Sequence, residues 1–227
     1  AIERVLDAAK VEEHRSGDNP AAWKGTLEHV LHKPNELSNR NHYAAMPHAD
    51  VSAFMTKLAD VKGVSARALE LTILTAARSG ETRGAVWEEF DFAEKVWTIP
   101  AVRMKGGKLH RVPLSDKAMT LLKAMKAQSV NDLVFPGVRD KRPLSDMSLA
   151  KALKAAGGGA YTVHGFRSTF RDWATELAHA PREIAEASLA HAVGDAVERS
   201  YARSDALERR RALMSDWATY CDQNKPS

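Results

Sequence analysis

A single cysteine, Cys221, occurs among the 227 residues, which excludes an intramolecular disulfide. No uninterrupted apolar run approaches the ~20 residues that a membrane-spanning helix needs, and no secretory leader is visible. The chain therefore reads as cytosolic, with no membrane partner. Paired cysteines and an H-E-x-x-H helix are missing; His29 and His32 have a spacing compatible with a metal but no accompanying pattern, and they read as surface histidines. Neither a G-x-S-x-G elbow nor a G-x-x-x-x-G-K-S/T loop occurs, so acyl transfer on a hydrolase elbow and P-loop use of ATP have no support. Charge of one sign is only slightly in excess. Lys+Arg number 33 against 29 Asp+Glu, a net charge of +4, and the pI near 9.2 mildly favours a polyanionic partner.

What is present is organised mainly as helices. Ile2, Val5, Leu6 and Ala9 already follow the helical period, so the chain is expected to be a fragment whose upstream part is missing. Helical spacing over residues 1–13 is broken by "SGDNPAAW", and the polar, proline-bearing run "HKPNELSNRN" at 32–41 is the expected domain boundary. Beyond it, "PHADVSAFMTKLAD" and "SARALELTILTAAR" predict two helices, the second running through Leu69, Ile73 and Ala76 and ended by Gly80. The period then changes. "EEFDF", "KVWTIP" and "LHRVPL" alternate apolar with polar residues, which predicts a small three-stranded antiparallel sheet with a hairpin turn at Gly106-Gly107. Helical patterns return at 115–127, 146–156, 164–179, 181–188, 196–203 and 206–221, with "GGGA" at 157–160 as a flexible break. No internal repeat stands out, and the expected class is α+β, mostly α.

The stretch "YTVHGFRSTF", residues 161–170, predicts a helix beginning near Thr162. At the helical period Phe166, Phe170, Trp173, Ala174 and Leu177 gather on one face, and His164, Arg167, Ser168 and Arg171 on the opposite one. The first face is core. The second is either a solvated stripe or an anion site, because cations in the first turns oppose the helix dipole unless an anion joins them. The stretch alone leaves both readings open.

Other candidates have bland readings when taken singly. Arg78 reads as a helix-end arginine paired with Glu81, three residues on. "VRMKGGKLHR" holds Arg103, Lys105, Lys108 and Arg111 with one histidine and no acid; it is a solvated hairpin tip or one that reaches into a nucleic-acid groove. His191 falls in a turn between helices, where a hydrogen-bonded structural histidine is the commoner case. Tyr201, flanked by Arg199 and Arg203, reads as an amphipathic tyrosine beside Val197, and Tyr220 as packing with Leu213 and Trp217. Cys221, on an apolar face near the chain end, is a poor nucleophile.

Taken in order, "TAARSGE", "RMKGGKLHRVPLS", "HGFRSTF", "LAHAVGD" and "ERSYARSDALERRRALMSDWA" resemble the catalytic domain of tyrosine recombinases of the phage-integrase type. The resemblance covers about residues 41–221 and implies a catalytic domain over 41–227, with residues 1–37 the tail of a core-binding, DNA-binding domain plus linker. It implies that Arg78, Lys105, His164, Arg167, His191 and the nucleophile Tyr201 are catalytic and that Glu81 supports Arg78. Arg103, Lys108, Arg111, Arg171, Arg199 and Arg203 are then expected at DNA. Lys108 competes with Lys105 for the place of the hairpin lysine. Ala190 stands where the family usually has glycine, and Ser79 where it often has a basic residue.

The implied chemistry is phosphoryl transfer without metal, ATP or other cofactor. Two guanidiniums can hold a phosphate through paired donors, a contact that strengthens as charge builds on the non-bridging oxygens. A free tyrosine, with a pKa of about 10, needs a base, for which His164 is the candidate. Lys105 can protonate the departing 5′ oxygen, His191 can hydrogen-bond the phosphate, and Glu81 orients its partners. The resemblance further implies double-stranded attachment sites as substrate, a homotetramer on DNA formed from monomers, and accessory DNA-bending proteins. The C-terminal segment would dock on a neighbour, with Arg209 to Arg211 serving DNA or protein contacts. A type IB topoisomerase shares the chemistry but rejoins the same strand, and a DNA-binding module that has lost catalysis would lack the full residue set.

Overall fold

A computed structural model describes residues 2–31, 43–138, 142–191 and 205–223. The chain divides into two compact units, 1–42 and 43–227, so the division falls at the end of the polar run expected to mark it. In the smaller unit, α1 (Ile2–Val11) buries none of its residues. Asn19 ties the following turn back to it, donating to the Glu3 carbonyl at 2.8 Å and to Asp7 Oδ1 at 2.7 Å.

The larger unit is built around α3 (Val64–Thr75), a helix buried along nearly its whole length from Ala66 to Thr75. Around it pack α2 (Val51–Asp60), α5 (Asp116–Ala127), α6 (Ser148–Ala155) and α9 (Leu207–Tyr220). Helices apolar on every face belong at the centre of a bundle, and Leu69, Leu71, Ile73 and Leu74 supply such a surface here. Trp217 of α9 is fully buried and donates its indole N–H to the Ile73 carbonyl at 2.8 Å, which fixes the last helix to the core. A three-stranded antiparallel sheet, β1 (Phe90–Asp91), β2 (Val96–Ile99) and β3 (His110–Pro113), lies in that order, with Phe90 opposite Trp97 and Trp97 opposite Val112. The class is α+β and mostly α, as the change of period predicts. Among the described residues no helix is long and apolar enough to cross a membrane.

Three expectations need correction. The helix through Ile73 ends at Thr75 rather than at Gly80, because Ala76 turns left-handed (φ 50°) and Arg78 becomes extended (φ −76°, ψ 145°). A new short helix, α4 (Ser79–Arg83), then starts, and Gly80 lies within it. The β2–β3 connection is longer than a two-residue hairpin: it occupies residues 100–109, with a 3-10 turn at Ala101–Arg103 before the turn that Gly107 (φ +62°) closes by donating to the Met104 carbonyl at 3.0 Å. The "GGGA" run is a packed helix terminus. Gly157 (φ +85°) reverses the chain while the N–H groups of Gly157 and Gly158 return to the Lys154 and Leu153 carbonyls. The expected helix at 196–203 lies outside the described residues.

The helix of the "HGFRSTF" stretch, α7, runs Gly165–Glu176. Thr162 precedes it, and its hydroxyl oxygen accepts the Gly165 N–H at 2.9 Å, satisfying one of the donors that a helix start leaves bare. Phe166, Phe170, Trp173 and Ala174 are buried as expected, but Leu177 is half exposed, since the helix stops one residue before it. α8 (Arg182–Ser188) follows, and His191 closes the described chain on this side.

Candidate active site

On the face of α7 opposite its apolar stripe, His164, Ser168 and Arg171 are exposed, but Arg167 is not. Arg167 is only 5% exposed, and its guanidinium donates to the Ala76 carbonyl (2.5 Å), to the Leu189 carbonyl (2.6 Å) and to His191 Nε2 (3.0 Å). The two carbonyls come from the left-handed end of α3 and from the end of α8, so one side chain joins three elements. Burial and the Arg78 charge push Arg167 down to about 10, while Glu81 and Glu186 act in the opposite sense. It remains a cation at neutral pH.

Arg78 and Glu81 form one unit at the start of α4. The buried Glu81 carboxylate accepts the Arg78 backbone N–H at 2.8 Å through one oxygen and its guanidinium at 2.8 Å through the other. The carboxylate therefore starts the helix and aims the arginine with the same group. Arg103, expected at DNA, has its guanidinium engaged from below this unit, by the Glu89 carboxylate and the Glu81 carbonyl.

His164 sits immediately before α7, exposed at its ring, with the Tyr43 ring tilted against it at 4.4 Å between centroids. Partial burial holds its pKa below the ordinary histidine value, and the charges of Arg167, Arg78, His191 and Lys105 add to the effect. A neutral imidazole that can accept a proton results. Of the two hairpin lysines, Lys105 is the one whose charge bears on His164; both are exposed. The structure thus brings together Arg78, Glu81, Lys105, His164, Arg167 and His191 from four separate stretches of sequence. Tyr201, Arg199 and Arg203 lie outside the described residues.

The remaining expected DNA contacts divide. Lys108 is exposed, and Arg171 is exposed with its Nε 3.9 Å from Glu186 Oε1. Arg111 pairs with Asp205 at 3.0 Å. The arginine run of α9 is used within the fold: Arg209 meets Glu183 at 3.3 Å and Arg211 meets Glu208 at 3.2 Å. Arg210 is 1% exposed and donates to the Arg111 carbonyl at 2.6 Å, tying α9 to β3. Ala190 takes φ 50°, the left-handed conformation that glycine adopts freely and that costs an L-residue about 1 kcal/mol.

Sequence reasoning missed Glu186, His110 and Tyr43. Glu186 could have been suspected as an acid set among Ile184, Ala185, Ala187 and Leu189, five residues before His191. His110, at the start of β3, is driven down to about 3, first by burial and then by Arg210, Arg167 and Arg78, against a hydrogen bond with the Ser188 backbone. In the unfolded chain the same ring takes its proton near 6.5. Between those values the unfolded state binds the additional proton, so stability is complete above pH 6.5 and declines as pH falls toward 3, by up to about 1.4 kcal/mol per unit. Urea unfolding at pH 7.5, 6 and 5 should show this decline, flattened in His110→Asn. Parallel declines in both proteins would place the acid sensitivity elsewhere.

Comparison with known proteins agrees with the assembled geometry. The sequence model of the phage integrase family matches residues 44–208. Prophage integrase IntA of Escherichia coli K12 is 41% identical over 149 residues, which are 64% of this chain and 36% of that protein. The integrase of Enterobacteria phage P4 is 35% identical over 204 residues, 81% of this chain and 46% of that protein. The chain thus spans less than half the length of these curated relatives. Among solved structures, the integrase of mycobacterium phage Brujita matches with a TM-score of 0.58 at 16% identity, over 100% of this chain and 71% of that one. A lambda integrase dimer bound to a core site matches with a TM-score of 0.56 at 15% identity, over 85% of this chain and 69% of that one. At such identities the likeness is one of fold. The family match runs from the first residues of the larger unit to the start of α9, and the chain belongs to the phage integrase family.

Proposed function

We propose that the chain is the catalytic part of a site-specific DNA recombinase, which integrates or excises a prophage or genomic island through a 3′-phosphotyrosyl intermediate. The observation that carries this reading is the gathering of Arg78, Arg167, Lys105, His164 and His191 at one place, where the arginines act against each other and against protonation of His164. Glu81 and Glu186 offset part of this charge, and a further anion among the cations offsets more of it. The relatives are named integrases, and the lambda protein of like fold is bound to DNA, so a DNA phosphodiester is the anion that fits.

In this reading Arg78 and Arg167 grip the non-bridging oxygens, and Arg167 is pre-set because three of its N–H donors are already fixed by the fold. Neutral His164 takes the phenolic proton as the Tyr201 oxygen attacks phosphorus. The 5′ oxygen leaves with a proton from Lys105. One P–O bond replaces another, so the bond energy is kept in the protein link and the released 5′-hydroxyl of a partner strand can reverse the step. Four protomers on two attachment-site duplexes, with accessory DNA-bending proteins, complete the proposed assembly. Residues 1–37 are read as the end of a core-binding domain.

The test is a nicked duplex of the cognate site that loses its 5′-hydroxyl fragment after cleavage. A stable covalent protein–DNA complex should accumulate, and peptide mapping should find the nucleotide on Tyr201. Attachment to another residue, or tight binding with no covalent product, would overturn the assignment.

A further inference from the structure

Behind the second histidine stands a carboxylate that the proposed chemistry does not use. Glu186 lies near the end of α8 with its side chain 15% exposed, and its Oε2 is 2.6 Å from His191 Nδ1. The backbone reinforces the pair, since the His191 N–H donates to the Glu186 carbonyl at 3.0 Å. On the other side of the ring, Nε2 is 3.0 Å from an Arg167 amino group. A guanidinium only donates, so Nε2 must be the acceptor there, and the ring hydrogen must reside on Nδ1, where Glu186 accepts it. The hydrogen bonds therefore run in one direction, from Arg167 to His191 to Glu186.

This order has a chemical consequence. With Nε2 as an acceptor, His191 cannot donate to a phosphate oxygen. It gains that ability when Nε2 takes a proton from solvent; only an N–H bond forms, and the imidazolium then has one hydrogen toward the substrate and one toward Glu186. A carboxylate at 2.6 Å behind the ring favours that cation. The cations at this pair are Arg167, whose amino group lies 3.0 Å from Nε2, and Arg171, whose Nε lies 3.9 Å from the other Glu186 oxygen; His191 also bears on His164. On α8 and α9, Glu183 and Arg209 pair with each other.

The geometry points to Glu186 as the positioning residue of the active site: it fixes His191 as the Nδ1–H tautomer and supplies the negative charge that lets Nε2 become a donor when a scissile phosphate arrives. The inference rests on the recombinase reading for its purpose, but its first part concerns the protein alone. Carboxylates behind functional histidines commonly carry about 10–100-fold of activity.

Two measurements decide it. Long-range ¹H–¹⁵N correlation of the wild-type imidazoles should show His191 protonated at Nδ1 and bare at Nε2; the opposite tautomer would overturn the proposal whatever the enzyme does. Glu186→Gln keeps an oxygen for the Nδ1 hydrogen but removes the charge. In complexes already formed on the nicked duplex it should slow appearance of the covalent product about 10–100-fold, with binding unchanged. Its activity should also fall away at lower pH on the alkaline side than that of the wild type, since the charge behind the imidazolium is gone. Glu186→Ala, which removes the acceptor as well as the charge, should be slower still. If wild type forms no adduct, the recombinase reading fails while the tautomer result stands. If wild type forms it and Glu186→Gln matches both rate and pH profile, the role given to Glu186 is wrong.

Discussion

Arg167→Lys is expected to slow strand cleavage by at least about 10²–10³-fold, the range lost when a fixed donor to a developing oxyanion is removed. Lysine keeps the charge, so the loss isolates geometry. The arginine fans its donors to two carbonyls and an imidazole in one plane, at 2.5, 2.6 and 3.0 Å. An ammonium on a flexible stem cannot meet all three and still face a phosphate. Stability should fall too, because an abandoned buried carbonyl costs about 1–3 kcal/mol. Single-turnover cleavage of a prebound nicked duplex gives the first quantity and the urea midpoint gives the second. Cleavage within a few-fold of wild type would show that Arg167 is a fold clamp and not a phosphate clamp.

Gly165→Ala should be the most damaging small substitution in the larger unit. A Cβ at Gly165 would lie 2.2 Å from the Ala44 carbonyl oxygen and 2.9 Å from both the Ala44 carbonyl carbon and the Ala45 Cα. All three are backbone atoms, so no side chain can rotate aside. The segment is also held by the Thr162 N–H at 2.9 Å on the Ala44 carbonyl and the Thr169 hydroxyl at 2.6 Å on the Met46 carbonyl. Displacing it loses these bonds and adds overpacking, about 3 kcal/mol together. For a chain of this size, that lowers the melting midpoint by about 6–12 °C. Gly159→Ala is the control, since its Cβ would meet only a Lys154 side-chain carbon at 3.5 Å. Equal melting of the two variants would refute the close-approach argument.

Periodicity placed most helices and all three strands, because those patterns report on contacts within a few residues. It failed where the partner is far away in sequence. The helical wheel put Arg167 opposite the apolar stripe and left that face either solvated or an anion site, yet the wall it meets includes carbonyls contributed by Ala76 and Leu189. Arg103, Arg111 and the run from Arg209 to Arg211 look like surface cations in a local window. Acids and carbonyls from other elements engage Arg103, Arg111, Arg209 and Arg210, while Arg211 pairs with Glu208 on its own helix and reaches the Lys95 carbonyl at 3.4 Å. The end of α3 was misplaced for a similar reason: Ala76 accepts a left-handed turn that local preference assigns to glycine, and its carbonyl is thereby delivered to Arg167. The proposed catalytic constellation was legible only through the order of its motifs. No single piece distinguishes a phosphate clamp from a charged helix face.

The attachment of residues 43–46 to α7 has a mechanical side. These residues open the larger unit, and their first firm anchors are Thr162, Gly165 and Thr169, which straddle His164 and the turn that follows it. Tyr43 adds a ring against the His164 imidazole itself. A pull along the chain from residue 43 is therefore delivered to His164 and its neighbours before it reaches the buried bundle around α3. The segment works as a short lever whose far end is an imidazole, and a shift of about 1 Å in such a group can cost about 10²-fold in rate. In the proposed reaction, the seating of this leading segment sets the position of the base, so slack or tension there is expected to change the rate of cleavage.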